Sequence, residues 1–175
     1  HLPYIADVYE RGLSLGVMSK SYGLPGLRIG WIACQDKKVL SEMERMKHYL
    51  SICNSGPSEK LAIIGLKNKE KLIGRNNAII DENLPLWDSF FAKYSDLFAY
   101  QKPDGSCTGF ARYKGPEGVD IFAEKLVQEA GILLLPSAIY RSELGATPEN
   151  YFRYGYGRIG LKEGLEAFDA YLSAR

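Results

Sequence analysis

The segment Ser19-Lys20-Ser21-Tyr22-Gly23-Leu24-Pro25-Gly26-Leu27-Arg28-Ile29-Gly30-Trp31 sets a lysine at the end of one apolar run and an arginine at the start of the next. The runs themselves are residues 13–18 (LSLGVM) and 28–34 (RIGWIAC), short enough and apolar enough to be strands, with Gly23-Leu24-Pro25-Gly26 as the turn between them. This pattern predicts a hairpin with Lys20 at its bend. A lysine placed there would be partly withdrawn from water, and desolvation lowers an amine's pKa until it can attack an aldehyde. Arg28 offers paired N–H donors that match a phosphate, and the glycines let backbone approach such a group closely. The spacing alone leaves a second reading open, in which Lys20 and Arg28 are solvated charges beside a turn.

Working outward, Asp36 is an N-cap for a helix whose apolar positions Val39, Leu40, Met43, Met46 and Leu50 recur at helical spacing. Ser55-Gly56-Pro57 breaks that pattern, and Pro57 suits the first turn of a further helix bearing Leu61, Ile64 and Leu66. A longer helical stretch over residues 69–94 holds Leu72, Ile79, Ile80, Leu84 and Trp87, and Pro85 is expected to kink or divide it. Beyond Ser95 the texture changes. Residues 97–101 and 108–113 read as strands around Pro103-Asp104-Gly105, residues 119–130 as a helix ending at Gly131, and residues 132–135 as a strand stopped by Pro136. Residues 151–156 form another strand candidate, and Leu161, Leu165, Phe168 and Leu172 line a final helix. The domains expected are therefore residues 1–60, the remnant of one domain, and residues 61–175, a long bridging helix followed by a small α+β unit.

Composition narrows the classes of function. With a formal net charge of +1 and interspersed signs, the chain has no positive field to hold nucleic acid. Its apolar runs are far shorter than the roughly twenty residues of a membrane helix, and no signal peptide is read. The cysteines Cys34, Cys53 and Cys107 lack metal-ligand spacing, and His1 and His48 are not placed to complete a zinc site. A reducing, cytoplasmic setting fits these features, and the beginning at His1-Leu2-Pro3 reads as the middle of something longer.

The string SKSYGLPGLRIGW resembles the signature around the cofactor lysine of the class I/II aminotransferases, fold-type I enzymes dependent on pyridoxal phosphate. The resemblance continues through SGPSEKLAIIGL (residues 55–66), EKLVQEAGILLLPSAIY (residues 124–140) and NYFRYGYGRIG (residues 150–160), and so spans nearly the whole chain. It implies an α/β and α+β architecture: the end of the large cofactor-binding domain, then the small C-terminal domain. By this match Lys20 holds the aldehyde of pyridoxal 5'-phosphate and Arg28 binds its phosphate. Arg153 matches the family arginine that grips the substrate's α-carboxylate, a task suited to a planar guanidinium, with Arg158 as the competing candidate. The implied reaction moves an amino group from an amino acid to a 2-oxo acid, in a protein that is a homodimer at full length. Asn54 and Ser55 would then lie in a loop that reaches a neighbouring subunit.

Two positions depart from the family pattern. Val17 stands where many members carry a serine that binds phosphate, leaving Arg28, groups outside this chain or Ser19 to compensate, and Pro136-Ser137 replaces a usual Pro-Gly. The family's aspartate for the pyridine nitrogen, its ring-stacking aromatic and its glycine-rich phosphate loop all precede the lysine segment. The resemblance therefore places them before residue 1, and the 175-residue chain alone is expected to bind the cofactor weakly and to be inactive. Other chemistries share the scaffold: a carbon–sulfur lyase or decarboxylase, a regulator's aminotransferase-like effector domain, or a folding or dimerisation module.

Overall fold

The computed structural model describes residues 2–175; His1 lies outside the described residues, and with it half of the histidine reading. The chain separates into two compact units, one ending at Asn76 and the other spanning Asn77–Arg175. This division falls inside a long helix.

In the first unit a single helical turn, α1 (Ile5–Val8), precedes strands β1 (Leu13–Val17) and β2 (Gly30–Cys34). The strands pair antiparallel, Leu13 opposite Cys34 and Val17 opposite Gly30, as the hairpin reading expects. Helix α2 (Lys37–Leu50) starts where Asp36 accepts from the backbone N–H groups of Lys38 and Val39, satisfying two donors that a helix start leaves unpaired. Helix α3 (Gly56–Lys67) follows with Ser55 at its N-cap and Pro57 in its first turn. The apolar stripe of α2 builds no core: none of its residues is buried, and Met46 and Leu50 are exposed. The buried hydrophobic residues of this unit are Ala6, Met18 and Ala62.

Helix α4 (Lys69–Lys93) runs unbroken past Pro85, which neither divides it nor ends it, contrary to the division that a proline suggests. The hydroxyl of Ser89 donates to the Pro85 carbonyl at 3.0 Å, and Trp87, Phe90 and Phe91 just beyond are buried, so tertiary packing holds the helix through the position where one hydrogen bond is missing.

The second unit is built on a four-stranded antiparallel sheet in the order β3-β4-β6-β5, comprising β3 (Phe98–Ala99), β4 (Thr108–Tyr113), β5 (Leu135–Pro136) and β6 (Tyr151–Gly155). Helices α5 (Val119–Ala130) and α6 (Leu161–Ser173) complete it, with α5 closed by Gly131 in the left-handed conformation. The apolar run at residues 132–135 forms a strand only at Leu135, and Pro136, expected to stop the strand, is instead its second residue. Proline is tolerated because β5 lies at the sheet's edge. One face of the sheet and the helices enclose a core rich in rings, in which Phe98, Phe122, Phe152 and Phe168 are all at most 2% exposed. Tyr113 stacks on Phe122 with centroids 4.2 Å apart, and Trp87 stacks on Phe91 at 5.0 Å. Truncating Phe122 to alanine would cost about 3–5 kcal/mol of stability.

Candidate functional site

Lys20 lies two residues beyond Met18, past the end of β1, in a turn closed by the Gly23 N–H donating to the Lys20 carbonyl at 2.9 Å. Gly23 has φ +65, a conformation that glycine adopts without penalty. The turn is tied down on both sides. Met18, fully buried, donates from its N–H to the Ile29 carbonyl and accepts at its own carbonyl from Leu24, extending the ladder beyond the strands. A Cβ on Gly65 of α3 would stand 2.9 Å from the Met18 methyl and 3.0 Å from Leu24, so the missing side chain is what lets the turn settle on α3. From α4, the Asn76 side-chain amide donates to the Ser21 carbonyl at 2.9 Å.

Arg28 follows a single 3-10 turn (Pro25–Leu27) rather than opening the second strand. Its backbone is left-handed, φ 55 and ψ 33, a conformation that costs a non-glycine residue roughly 1 kcal/mol. Its Nη1 donates back to the Pro25 carbonyl at 3.3 Å. On the sheet, Trp31 crosses the bare backbone of Gly16, where a Cβ would meet the indole at 2.3 Å, and its ring lies 6.4 Å from that of Tyr22 in the lysine turn.

One expectation is corrected. The lysine was read as desolvated at a buried strand's end, but Lys20 and Arg28 are both exposed. The reason is the sheet itself: β1 and β2 form a two-stranded ribbon on which Leu15 is 73% and Ile32 45% exposed, so no described layer shields the turn from water. Shallow surface hollows along α2 and between α5 and α6 include none of Lys20, Arg28 and Arg153.

In the second unit, Arg153 sits in the middle of β6, opposite Phe110 of β4 on one side and Leu135 of β5 on the other. It is therefore an interior-strand residue, not an edge charge. Strand alternation sends Phe152 and Tyr154 into the core and leaves Arg153 on the open face. There its guanidinium stands 5.7 Å from the Tyr140 ring centroid, Phe110 meets Tyr140 edge-on at 5.5 Å, and Phe110 stacks with Tyr151 at 6.4 Å. Arg158, the competing arginine, lies beyond the end of β6, and its carbonyl accepts from Asn83 of α4. Ser137, where the family has glycine, begins a 3-10 turn (Ser137–Tyr140) without a positive φ, so serine is accommodated there without strain.

Sequence reading missed Asn76 and the packing of Met18 on Gly65, both of which join segments far apart in the chain. The aromatic neighbours of Arg153 carry a weak signal, since Tyr140 and Phe110 are visible as aromatics but only strand register brings them together.

A two-unit chain with a lysine turn in one part and an arginine on an antiparallel sheet in the other has the architecture of the fold-type I pyridoxal-phosphate enzymes. The family model for aminotransferase class I and II matches residues 5–159, and the chain belongs to that family. It is 29% identical over 159 residues to capreomycidine synthase of Streptomyces vinaceus, covering 90% of this chain and 39% of that protein. A probable aspartate aminotransferase of Methanocaldococcus jannaschii is 24% identical, with 84% of this chain and 38% of the relative covered. A crystal structure of a PLP-dependent aminotransferase from Streptococcus suis superposes with a TM-score of 0.86 at 28% identity, over 99% of this chain and 45% of that one. This chain thus spans about two fifths of the length of these relatives. Pyridoxal phosphate is the cofactor the family implies, and the donor set of the turn suits it: a primary amine for the aldehyde, a guanidinium for the phosphate, and at Gly26 a position where a Cβ would meet nothing within 4 Å. Among the described residues no helix is long and apolar enough to cross a membrane.

Proposed function

We propose that this chain is the lysine-bearing part of an aminotransferase that moves an amino group from an amino acid to a 2-oxo acid. The observation that carries the proposal is that Lys20 and Arg28 both lie on the connection between β1 and β2, within a family match that extends on through Arg153. Pyridoxal phosphate, when bound, supplies an aldehyde that captures amino groups and a conjugated ring that takes up negative charge from the substrate's α-carbon. Lys20 is the residue that would hold it, through Nζ, and Arg28 would engage its phosphate. When not engaged with the cofactor, the same Nζ would act as general base at the substrate α-carbon and would deliver that proton to the cofactor's C4′ carbon. Arg153 orients the substrate by gripping both oxygens of its α-carboxylate. The exposure of Lys20 means that the dry surroundings this chemistry needs come from beyond the described residues. In its full-length form we place the protein in the cytoplasm as a homodimer, with small acids as its ligands and neither nucleic acid nor membrane.

The test is borohydride reduction of the full-length protein loaded with pyridoxal phosphate, followed by peptide mapping. The label is expected on Lys20 and lost in Lys20→Ala; a label on any other lysine overturns the assignment. A second reading is favoured by the similarity to capreomycidine synthase, a relative whose name denotes a synthase rather than a transaminase. The turn does not choose which bond at the α-carbon is broken. Product analysis separates the two: an aminated acceptor and a new 2-oxo acid support transfer, and their absence during substrate turnover supports the other chemistry.

A further inference from the structure

We propose that Asn76, on α4, is a positioning residue for the cofactor lysine, an inference that rests on the reading of Lys20 given above. The turn from Lys20 to Gly23 is held at its end by the Gly23 N–H, at 2.9 Å from the Lys20 carbonyl, but among the described residues its middle has one polar restraint from a distant segment: the Asn76 Nδ2 donating to the Ser21 carbonyl at 2.9 Å across 55 positions of sequence. The same amide packs on the turn. A Cβ added at Gly23 would fall 2.9 Å from Asn76 Nδ2 and 3.0 Å from Oδ1, so glycine here serves the approach of the asparagine as well as the positive φ.

The clamp matters because the Met18 and Gly23 hydrogen bonds hold the ends of the turn and leave its middle to Asn76. Lys20 is exposed, and an exposed turn ordinarily samples many conformations. By fixing the Ser21 carbonyl, Asn76 fixes the Ser21–Tyr22 peptide plane, and together with the Gly23 N–H on the Lys20 carbonyl it narrows the conformations of the turn from which the Lys20 side chain leaves. Asn76 lies within helix α4, so the restraint is anchored on hydrogen-bonded helical backbone rather than on another loop.

The test uses the full-length protein and three forms: wild type, Asn76→Ala, and Asn76→Asp, which keeps the shape but replaces the donor with an acceptor. Without cofactor, hydrogen exchange at the Gly23 and Leu24 amides is expected to quicken about fivefold in both variants, the effect of one lost net hydrogen bond, while amides within Val119–Ala130 stay unchanged. With pyridoxal phosphate added, borohydride-trappable label on Lys20 should accumulate more slowly in both variants, and kcat should fall while KM for the amino acid holds. Unchanged exchange at Gly23 and Leu24, with wild-type label still on Lys20, overturns this inference and leaves the lysine assignment intact. Wild-type label on a different lysine overturns the assignment, and the role of Asn76 falls with it.

Discussion

The guanidinium of Arg153 stands 5.7 Å from the ring centroid of Tyr140, the two residues meeting on the open face of the second unit's sheet. A cation over an aromatic face at a partly exposed site is stabilised by roughly 0.5–1 kcal/mol. Tyr140 in turn leans edge-on against Phe110, so the arginine's orientation depends on a short chain of rings. If Arg153 grips the substrate carboxylate, Arg153→Ala in the full-length protein should raise KM for both amino acid and 2-oxo acid by roughly two orders of magnitude, the cost of one charged hydrogen-bond partner. Tyr140→Leu should raise it by only about two- to fivefold, and Tyr140→Phe should leave it near wild type. Steady-state kinetics check all three.

Asn83 is a buried polar side chain whose Nδ2 donates to the carbonyls of Tyr156 at 2.9 Å and Arg158 at 2.6 Å, pinning the segment that leaves β6. Asn83→Leu would bury these carbonyls without a partner. The expected loss is about 1–3 kcal/mol per unsatisfied group, read as a lower urea midpoint with an unchanged slope.

Gly23→Ala forces a left-handed backbone on a residue with a Cβ and pushes that Cβ into Asn76. The backbone alone contributes roughly 1–2 kcal/mol of destabilisation. In a double-mutant cycle with Asn76→Ala the two effects should fall short of additive, because the second substitution removes the clash; strict additivity in thermal unfolding would refute the contact.

Alkaline pH should weaken the second unit. Burial, reinforced by neighbouring Tyr156, pushes the Tyr154 hydroxyl up to about 12 from 10.0, and burial likewise raises Tyr100 and Tyr113. A group whose folded pKa is raised contributes stability that is fully present below its unfolded value and disappears as pH climbs past it. Folding stability should therefore hold up to pH about 10 and fall between there and about 12, with the buried tyrosines' share of the tyrosinate absorbance appearing in step with loss of structure. Tyr154→Phe should reduce the slope.

Much of the architecture was legible because it is local. The Asp36 cap, the Ser55-Gly56-Pro57 start, the Gly131 stop and the alternation across Phe152, Arg153 and Tyr154 each state their structure within a few residues. The misreadings fall where distant packing decides. Of the kink or division expected at Pro85 the division does not occur, because buried rings beyond it hold the helix together, and Pro136 occupies a strand because that strand lies at an edge. The candidate site divides in the same way. Lys20, Arg28 and Arg153 are visible as residues, and the family to which the chain belongs is visible in their motifs. The exposure of Lys20, the left-handed backbone of Arg28 and the clamp from Asn76 depend on tertiary contacts that no spacing encodes.

The placement of the indoles gives the protein two optical reporters of its own. Trp31, 42% exposed beside Tyr22, emits from wet surroundings next to the lysine turn, while Trp87, 4% exposed among phenylalanines, emits from the dry interior of the other unit. Replacing Trp87 with phenylalanine leaves Trp31 as the one indole within residues 1–175, and its emission, excited selectively over tyrosine, follows events at the lysine turn. Replacing Trp31 leaves one that follows only the integrity of the aromatic core, so the two halves of the molecule can be watched separately without attaching a dye to either.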